Sequence, residues 1–169
     1  AQAYQAIDRL HEAGLIYDAH IMTGVAGKGR GMENAEALAQ FLNRTNPAHV
    51  VNFSMFLHKE VPLYQDIRQG TFVPADELET IREEYHLIER IAPEKAGANI
   101  LYDGFHDFIH VRVRGHLPGD KEKMLAKLNG IIQEYEGKEP VYSFVQGECP
   151  DLEYCDDGKA VWDMDRKTS

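Results

Sequence analysis

Hydrophobic positions along this chain switch repeatedly between a helical and a strand-like period. The first helical stripe predicts a helix that ends at Gly14, because glycine commonly follows a helix C-terminus. The apolar run at residues 15–23 then predicts a buried strand, and a second helix is predicted to stop before Asn46 and Pro47. The stripes of these two helices are Tyr4, Ile7 and Leu10, and Ala35, Leu38, Ala39 and Leu42.

The same alternation continues through the middle of the chain. Residues 49–57 predict a second strand, and residues 63–67 predict a helical turn. Asp76 is placed to cap the next helix, and a weaker strand is predicted at 99–102. Residues 105–113 fit either a strand or an extended loop. Two later helices are predicted from the stripes Leu78, Ile81, Tyr85 and Ile88, and Met124, Leu125, Leu128, Ile131, Ile132 and Tyr135.

Strands that alternate with helices predict an α/β fold with a parallel sheet and helices packed outside it. Such a sheet is either open and doubly wound or part of a barrel, and a full eight-unit barrel needs about 250 residues. The chain has 169 residues, so the barrel interpretation is a half TIM-type barrel. Ala1 is not an initiator Met and the start reads as helix interior, which predicts a piece of a longer protein. We assign 1–137 to the barrel portion and 138–169 to an extension with a mobile end and a possible strand at 141–145.

The charge balance narrows the classes of partner. Eighteen basic residues against 28 acidic ones give a net charge of −10. A surface of this sign repels phosphate backbones and anionic lipid, so we expect neither a nucleic acid nor a membrane as partner. Cys149 and Cys155 are interpreted as reduced thiols, and these features together predict a cytoplasmic protein.

One glycine-rich loop stands between a predicted strand and a predicted helix, at residues 24–31. Its glycines permit positive φ and a close approach of backbone to a ligand, and Lys28 and Arg30 could meet an anion. The string matches neither the dinucleotide fingerprint nor the P-loop pattern. A phosphate-binding loop and a merely flexible loop therefore both remain open.

The remaining candidate groups are histidines and acidic residues. His106, His110 and His116 lie near Asp103 and Asp107, but the apolar residues between them disfavour the helix that a zinc pair would need, and we favour polar loop histidines over a metal site. We interpret the acidic run at 76–84 as the solvated face of a helix. Two further histidines, His20 and His49, are interpreted as hydrogen-bonded interior groups.

Three stretches in order resemble the radical S-adenosylmethionine (radical SAM) iron–sulfur enzymes. Residues 11–47 look like the fifth strand of that family, its glycine loop and the following helix. Residues 61–91 are similar to the "T-P-L-Y … G-x-F … E" segment after the sixth strand. Residues 104–132 look like the ending "S-D-H-x-S-N … G-x-L-P-x-D-K" of one uncharacterised branch, although Phe108 and Ile109 replace its Ser-Asn pair.

The resemblance implies an oxidoreductase that uses S-adenosylmethionine and a 4Fe–4S cluster, held by a C-x-x-x-C-x-x-C loop that this sequence does not contain. The chain would then supply part of the S-adenosylmethionine and substrate site, for a substrate that is a small molecule or of unknown class, and be inactive alone. By the residue match, His106 is a candidate for a substrate contact. The residues implied to bind S-adenosylmethionine are Ile21, Met22, Gly24, Gly27, Phe53 and Met55.

Two alternatives to this interpretation stay open. A self-contained nucleotide- or phosphate-binding α/β module would use the loop at 24–31 without catalysis. A noncatalytic interaction domain would bind a partner through an exposed sheet edge. A half barrel also predicts self-association through its open edges, since unpaired strands tend to pair.

Overall fold

The computed structural model describes residues 2–143, together with the backbone of two short strands at 153–154 and 160–161. The helices are α1 (Gln2–Glu12), α2 (Gly31–Thr45), α3 (Pro62–Gln69), α4 (Glu77–Arg90) and α5 (Lys121–Tyr135). The strands are β1 (Asp18–Thr23), β2 (His49–Ser54), β3 (Ile100–His106), β4 (Val111–Leu117), β5 (Glu153–Tyr154) and β6 (Ala160–Val161). Most of the extension at 138–169, with both cysteines, lies outside the described residues.

Local sequence signals set the ends of the helices. The Asp76 carboxylate accepts a hydrogen bond from the Glu79 N–H at 2.8 Å, which confirms the predicted cap of α4. Helix α2 ends at Asn46, which adopts a left-handed conformation before Pro47. Helix α3 begins with Pro62, and Gly70 ends it with a φ of 72°. The predicted helices are therefore confirmed.

Strands β1, β2, β3 and β4 form one open mixed sheet in that order. The first three strands are parallel, as predicted, and β4 is antiparallel to β3. The expectation of a wholly parallel arrangement is wrong at this strand. Only residues 107–110 separate β3 from β4, and a parallel connection needs a crossover of a dozen or more residues. His110 closes the short connection with a φ of 53°.

Helices α2, α4 and α5 pack side by side over one face of the sheet, and α1 lies against α2. The core between this helix layer and the sheet is apolar at its centre and contains Val50, Ile81, Leu87, Ile88, Ile100 and Val113, all 0% exposed. Strand residues that alternate with the core positions lie on the other side, which we call the open face. The fold is thus α/β, with one face of its main sheet covered by helices. No described helix combines the length and apolar character needed to cross a bilayer.

Candidate functional site

The open face carries three rows of side chains that cross all four strands in register. The row nearest the carboxyl ends of the parallel strands is Met22, Phe53, Phe105 and Arg112. The second row is His20, Val51, Asp103 and Arg114, and the third is Asp18, His49, Leu101 and His116. Apart from buried Asp103, these side chains are exposed or half-buried. Ligands of parallel α/β sheets bind at the carboxyl ends of the strands, so the first row is the candidate contact surface.

The first row is a continuous aromatic and cationic stack. The rings of Phe53 and Phe105 lie 5.5 Å apart between centroids, with an angle of 17° between their planes. The Arg112 guanidinium carbon lies 4.7 Å from the centre of the Phe105 ring. Met22 pairs with Phe53 in the β1–β2 register and extends the row. A planar ligand could stack on this row, since aromatic and thioether groups both contact ring systems favourably.

Asp103 fixes the orientation of the arginines on the open face. Its two carboxylate oxygens accept hydrogen bonds from Arg112 Nε at 2.8 Å and Arg112 Nη2 at 2.6 Å, and Arg114 Nε lies 3.6 Å away. This bidentate pairing with Arg112 lowers the pKa of Asp103. Arg112 is therefore held against Phe105 while its side chain stays about half exposed.

The glycine loop at 24–31 contacts its own protein closely. A Cβ added at Gly24 would lie 3.0 Å from a Thr80 methyl carbon, and one at Gly27 would lie 2.8 Å from the Val73 carbonyl oxygen. Both glycines also have positive φ, at 86° and 81°. The glycines are thus needed for turn geometry and for packing against the segment at 72–80.

Several N–H groups of this loop already donate to partners within the protein. Gly27 N–H donates to the Gly24 carbonyl at 3.0 Å and Lys28 N–H to the Val73 carbonyl at 2.8 Å. Gly24 N–H donates to Glu83 Oε2 at 2.9 Å, and Asn34 Nδ2 donates to Glu83 Oε1 at 2.5 Å. The Glu83 carboxylate therefore lies beside the start of α2, where a phosphate-binding loop would hold its anion. This arrangement disfavours phosphate binding by the loop.

Beneath the other face of the sheet, α4 inserts three buried glutamates. Protonated His106 donates from Nδ1 to Glu77 at 3.1 Å and from Nε2 to Glu84 at 3.0 Å. Glu84 also accepts hydrogen bonds from the Tyr102 hydroxyl at 2.9 Å and Asn52 Nδ2 at 3.1 Å. The third glutamate is Glu83, already described at the glycine loop. The α4 carboxylates thus tie together segments at the carboxyl ends of β1, β2 and β3.

Burial and neighbouring polar groups shift the pKa values of three residues in this network. Burial alone lowers the pKa of His106, but hydrogen bonds to Glu77 and Glu84 outweigh it and raise the pKa to about 10. Burial raises the pKa of the Tyr102 hydroxyl, and the Glu84 carboxylate beside it raises it further. Burial also raises the pKa of Glu83, and its bonds from Asn34 and Gly24 oppose that shift. His106 is therefore a buried imidazolium at neutral pH.

Three sequence interpretations are corrected by the structure. The acidic run at 76–84 does not lie on a solvated face throughout, because Glu77, Glu83 and Glu84 are at most 2% exposed. His20 is exposed on the open face and is not an interior group. His106 is not a loop histidine, since it ends β3 and is 0% exposed. The sequence signal for the buried glutamate was Gly104, because a glycine inside a strand indicates that another group approaches the backbone closely. In the structure, the Glu84 side chain lies against Gly104.

The residues implied to bind S-adenosylmethionine lie in three places. Met22 and Phe53 are neighbours in the first row, and Gly24, Gly27 and Met55 lie in loops that follow the strands. Met55 packs close to Gly24. Ile21 points to the opposite side and packs against the helix-covered core, as strand alternation requires. Sequence reasoning missed Phe105 and Arg112, because the segment from 105 did not show a clean strand period, and it considered Asp103 only beside the histidines.

This sequence lacks the three cysteines that the resemblance implies as ligands of the 4Fe–4S cluster. The sequence has two cysteines, Cys149 and Cys155, and they do not form a C-x-x-x-C-x-x-C motif. Among the residues that the structure describes, no group of three or more His, Cys, Asp or Glu side chains is arranged to hold a metal ion. His106, His110 and His116 do not converge, since they lie in the core, in a turn and on the open face.

Comparison with known proteins adds no relative: no family model, curated protein or solved structure matches the chain.

Proposed function

We propose that this chain is the C-terminal part of a radical SAM oxidoreductase and forms one wall of its S-adenosylmethionine and substrate site. The observation that carries the proposal is the open face, where an aromatic and thioether row lies at the carboxyl ends of three parallel strands. In a barrel, the face opposite the helices is the interior, and its carboxyl-end rim binds ligands. The three ordered sequence resemblances support the choice of family.

The adenine contact is assigned to the first row and the adjacent loops. The face of Phe53 is half-buried and is flanked by Met22, which suits a planar purine ring. Gly24 and Gly27 act through the shape of their loop, since their hydrogens face the protein itself. Ile21 supports the row from the core side of β1. His106 is fully buried, so we propose that it positions the strand ends and does not touch substrate.

The cluster that cleaves S-adenosylmethionine to a radical would be bound by a part of the protein outside this sequence. This chain alone is then inactive, and we assign the complete enzyme to the cytoplasm, where thiols stay reduced. In the open main sheet, the outer edge of β1 has no strand neighbour among the residues that the structure describes. We propose that this edge pairs with a preceding strand, or with a second copy when the chain is isolated.

The test uses the longest reading frame that contains this chain, expressed and purified without oxygen. We expect an upstream C-x-x-x-C-x-x-C motif, about four irons per chain, and formation of 5′-deoxyadenosine from S-adenosylmethionine after reduction. A reading frame without such a motif, or a product without iron that leaves S-adenosylmethionine intact, would reject the proposal.

A matched pair of variants in that enzyme tests the wall assignment. Phe53→Ala removes a ring from the first row, and we expect S-adenosylmethionine to bind about tenfold more weakly, because base stacking on an aromatic ring contributes about 1–3 kcal/mol. Leu101→Ala is the control, since Leu101 lies on the same face in the third row. If both variants lose the same affinity for S-adenosylmethionine while the cluster content is unchanged, the assignment of the first row to the site is rejected.

A further inference from the structure

After α5 the chain returns to the carboxyl ends of the parallel strands, where residues 141–143 are bonded to two other segments. The Leu57 N–H, shortly after the end of β2, donates to the Ser143 carbonyl oxygen at 2.7 Å. The Glu77 N–H, at the start of α4, donates to the Val141 carbonyl oxygen at 2.8 Å. We call residues 141–143 the strap, because they join the end of β2 to the start of α4.

The Tyr142 side chain anchors the strap. Tyr142 is 4% exposed and packs in a small apolar cluster that is separate from the main core. The other buried members of this cluster are Leu57, Tyr64 and Ile67. Val141 and Ser143, on either side of Tyr142, are also buried. The position of the strap therefore depends on apolar packing as well as on its two backbone hydrogen bonds.

Glu77 connects the strap to the buried ionic network. Its backbone N–H donates to the strap, and its carboxylate accepts hydrogen bonds from Ser54 Oγ at 3.3 Å and from His106 Nδ1 at 3.1 Å. Ser54 is the last residue of β2, so its hydrogen bond and the strap join the same two segments. The ionic network depends on the exclusion of water, because water screens charges and competes for hydrogen bonds.

We propose that the strap keeps water out of the network formed by Glu77, His106 and Glu84, and that release of Tyr142 admits water to it. Local release is feasible because Tyr142 packs in the smaller cluster and can leave it without dismantling the main core. Met55 packs against this cluster and close to Gly24, so the same release would loosen the rim of the open face. The inference concerns the packing of this chain and does not depend on the function proposed above.

The test is hydrogen exchange of backbone amides and imidazole N–H groups in the 169-residue chain, followed by NMR at neutral pH. In Tyr142→Ala, the Leu57 and Glu77 amides should exchange at least about tenfold faster, because loss of a buried ring favours local opening. The ring N–H groups of His106 should accelerate by a similar factor, since water then reaches them. Amides of β4, which β3 separates from β2, should keep their exchange rates.

Two further variants separate the strap from general packing. Tyr142→Phe keeps the ring and should keep the exchange rates of the unsubstituted chain. Tyr135→Ala is the matched control, because Tyr135 is a partly buried tyrosine of α5 that packs against the main core. It should not accelerate exchange selectively at Leu57, Glu77 and His106.

Several results would overturn the proposal. Equal acceleration in β4 and at the strap partners in Tyr142→Ala would show that the substitution lowers only global stability. Faster exchange at Leu57 and Glu77 with unchanged exchange of the His106 ring would show that the strap does not keep water from the network. Selective acceleration in Tyr135→Ala would assign the effect to the end of α5. Tyr142→Leu is a milder second variant, and if Tyr142→Ala does not fold, the absence of selective acceleration in Tyr142→Leu rejects the proposal.

Discussion

Strand β3 carries two charged centres on its two faces, and they lie three residues apart in sequence. On the helix-covered face, His106 is enclosed between Glu77 and Glu84, with every member of the trio at most 2% exposed. On the open face, Asp103 is 6% exposed, but its partners Arg112 and Arg114 are more than half exposed. Both centres are networks of hydrogen-bonded ions, and they differ in how much water reaches them.

This difference sets what each network contributes. Removing one member of a buried ion pair leaves an uncompensated buried charge, whereas exposed pairs are screened and contribute little. We therefore expect the covered face to hold the strand ends in place and the open face to keep side chains available for a ligand. Four substitutions and one pH series test this contrast.

The largest effect is expected from His106→Gln. The variant leaves Glu77 and Glu84 buried without their imidazolium, and the free energy of unfolding should fall by about 3–5 kcal/mol in a urea titration. His20→Gln on the open face is the control, since His20 is exposed, and should change stability by less than about 0.5 kcal/mol. Similar losses of unfolding free energy in both variants would contradict the expected difference between the two faces.

The pH dependence of stability follows from the same histidine. The folded pKa of His106 is about 10, above the ordinary 6.5, so the folded state holds a proton that the unfolded state releases. Its contribution to the free energy of unfolding is fully present below pH 6.5 and is lost as the pH rises toward 10, at up to about 1.4 kcal/mol per pH unit. The difference between the unsubstituted chain and His106→Gln should therefore shrink across this range. If the stability difference between the two proteins stays constant across this range, His106 is not the group that binds the proton.

A smaller loss is expected from Gly104→Ala. The added Cβ would lie 1.8 Å from Glu84 Oε1, and that oxygen cannot move away without releasing Tyr102 and Asn52. We expect a loss of about 1–3 kcal/mol, as for other overpacked sites. The control is Gly130→Ala, on an open surface of α5, which should raise stability by about 0.5–1 kcal/mol. The two substitutions should therefore have opposite signs.

Glu83→Gln is expected to loosen the glycine loop. The amide can accept only one of the two hydrogen bonds that the carboxylate accepts from Gly24 N–H and Asn34 Nδ2, which costs about 1–2 kcal/mol. Amide hydrogen exchange should increase at residues 24–31 and stay unchanged in β4, which is remote from Glu83. Unchanged exchange in the loop would mean that its packing alone holds it.

The smallest effect belongs to the open face. Asp103→Asn removes a carboxylate whose partners are half exposed, so we expect a loss of about 1 kcal/mol or less. Because pairing with Arg112 lowers the pKa of Asp103, its contribution is present above the unfolded pKa and disappears as the pH falls through the folded one. An Asp103→Asn loss as large as that of His106→Gln would show that the open face is covered.

The local sequence predicted the helices and much of the parallel sheet, but it misplaced the charged residues of α4. Glu77 and Glu84 share the helical spacing of Ile81 and Ile88, so the helical period alone is consistent with their place on the core face. Their residue type instead suggested that both side chains face solvent, because glutamate is seldom buried without a partner. The partner, His106, lies 22 residues beyond Glu84, so no local pattern could supply it.

Apolar periods and end signals such as Asp76 and Asn46 set where the elements begin and end, because these signals act within a few residues. The tertiary structure decided which side of each strand is covered, that β4 runs antiparallel, and that the α4 carboxylates meet His106. Strand alternation creates two faces but does not say which one receives the helices. The packing of the helices determines which face is covered. One face of β3 therefore carries a buried ionic network, and the other carries accessible side chains.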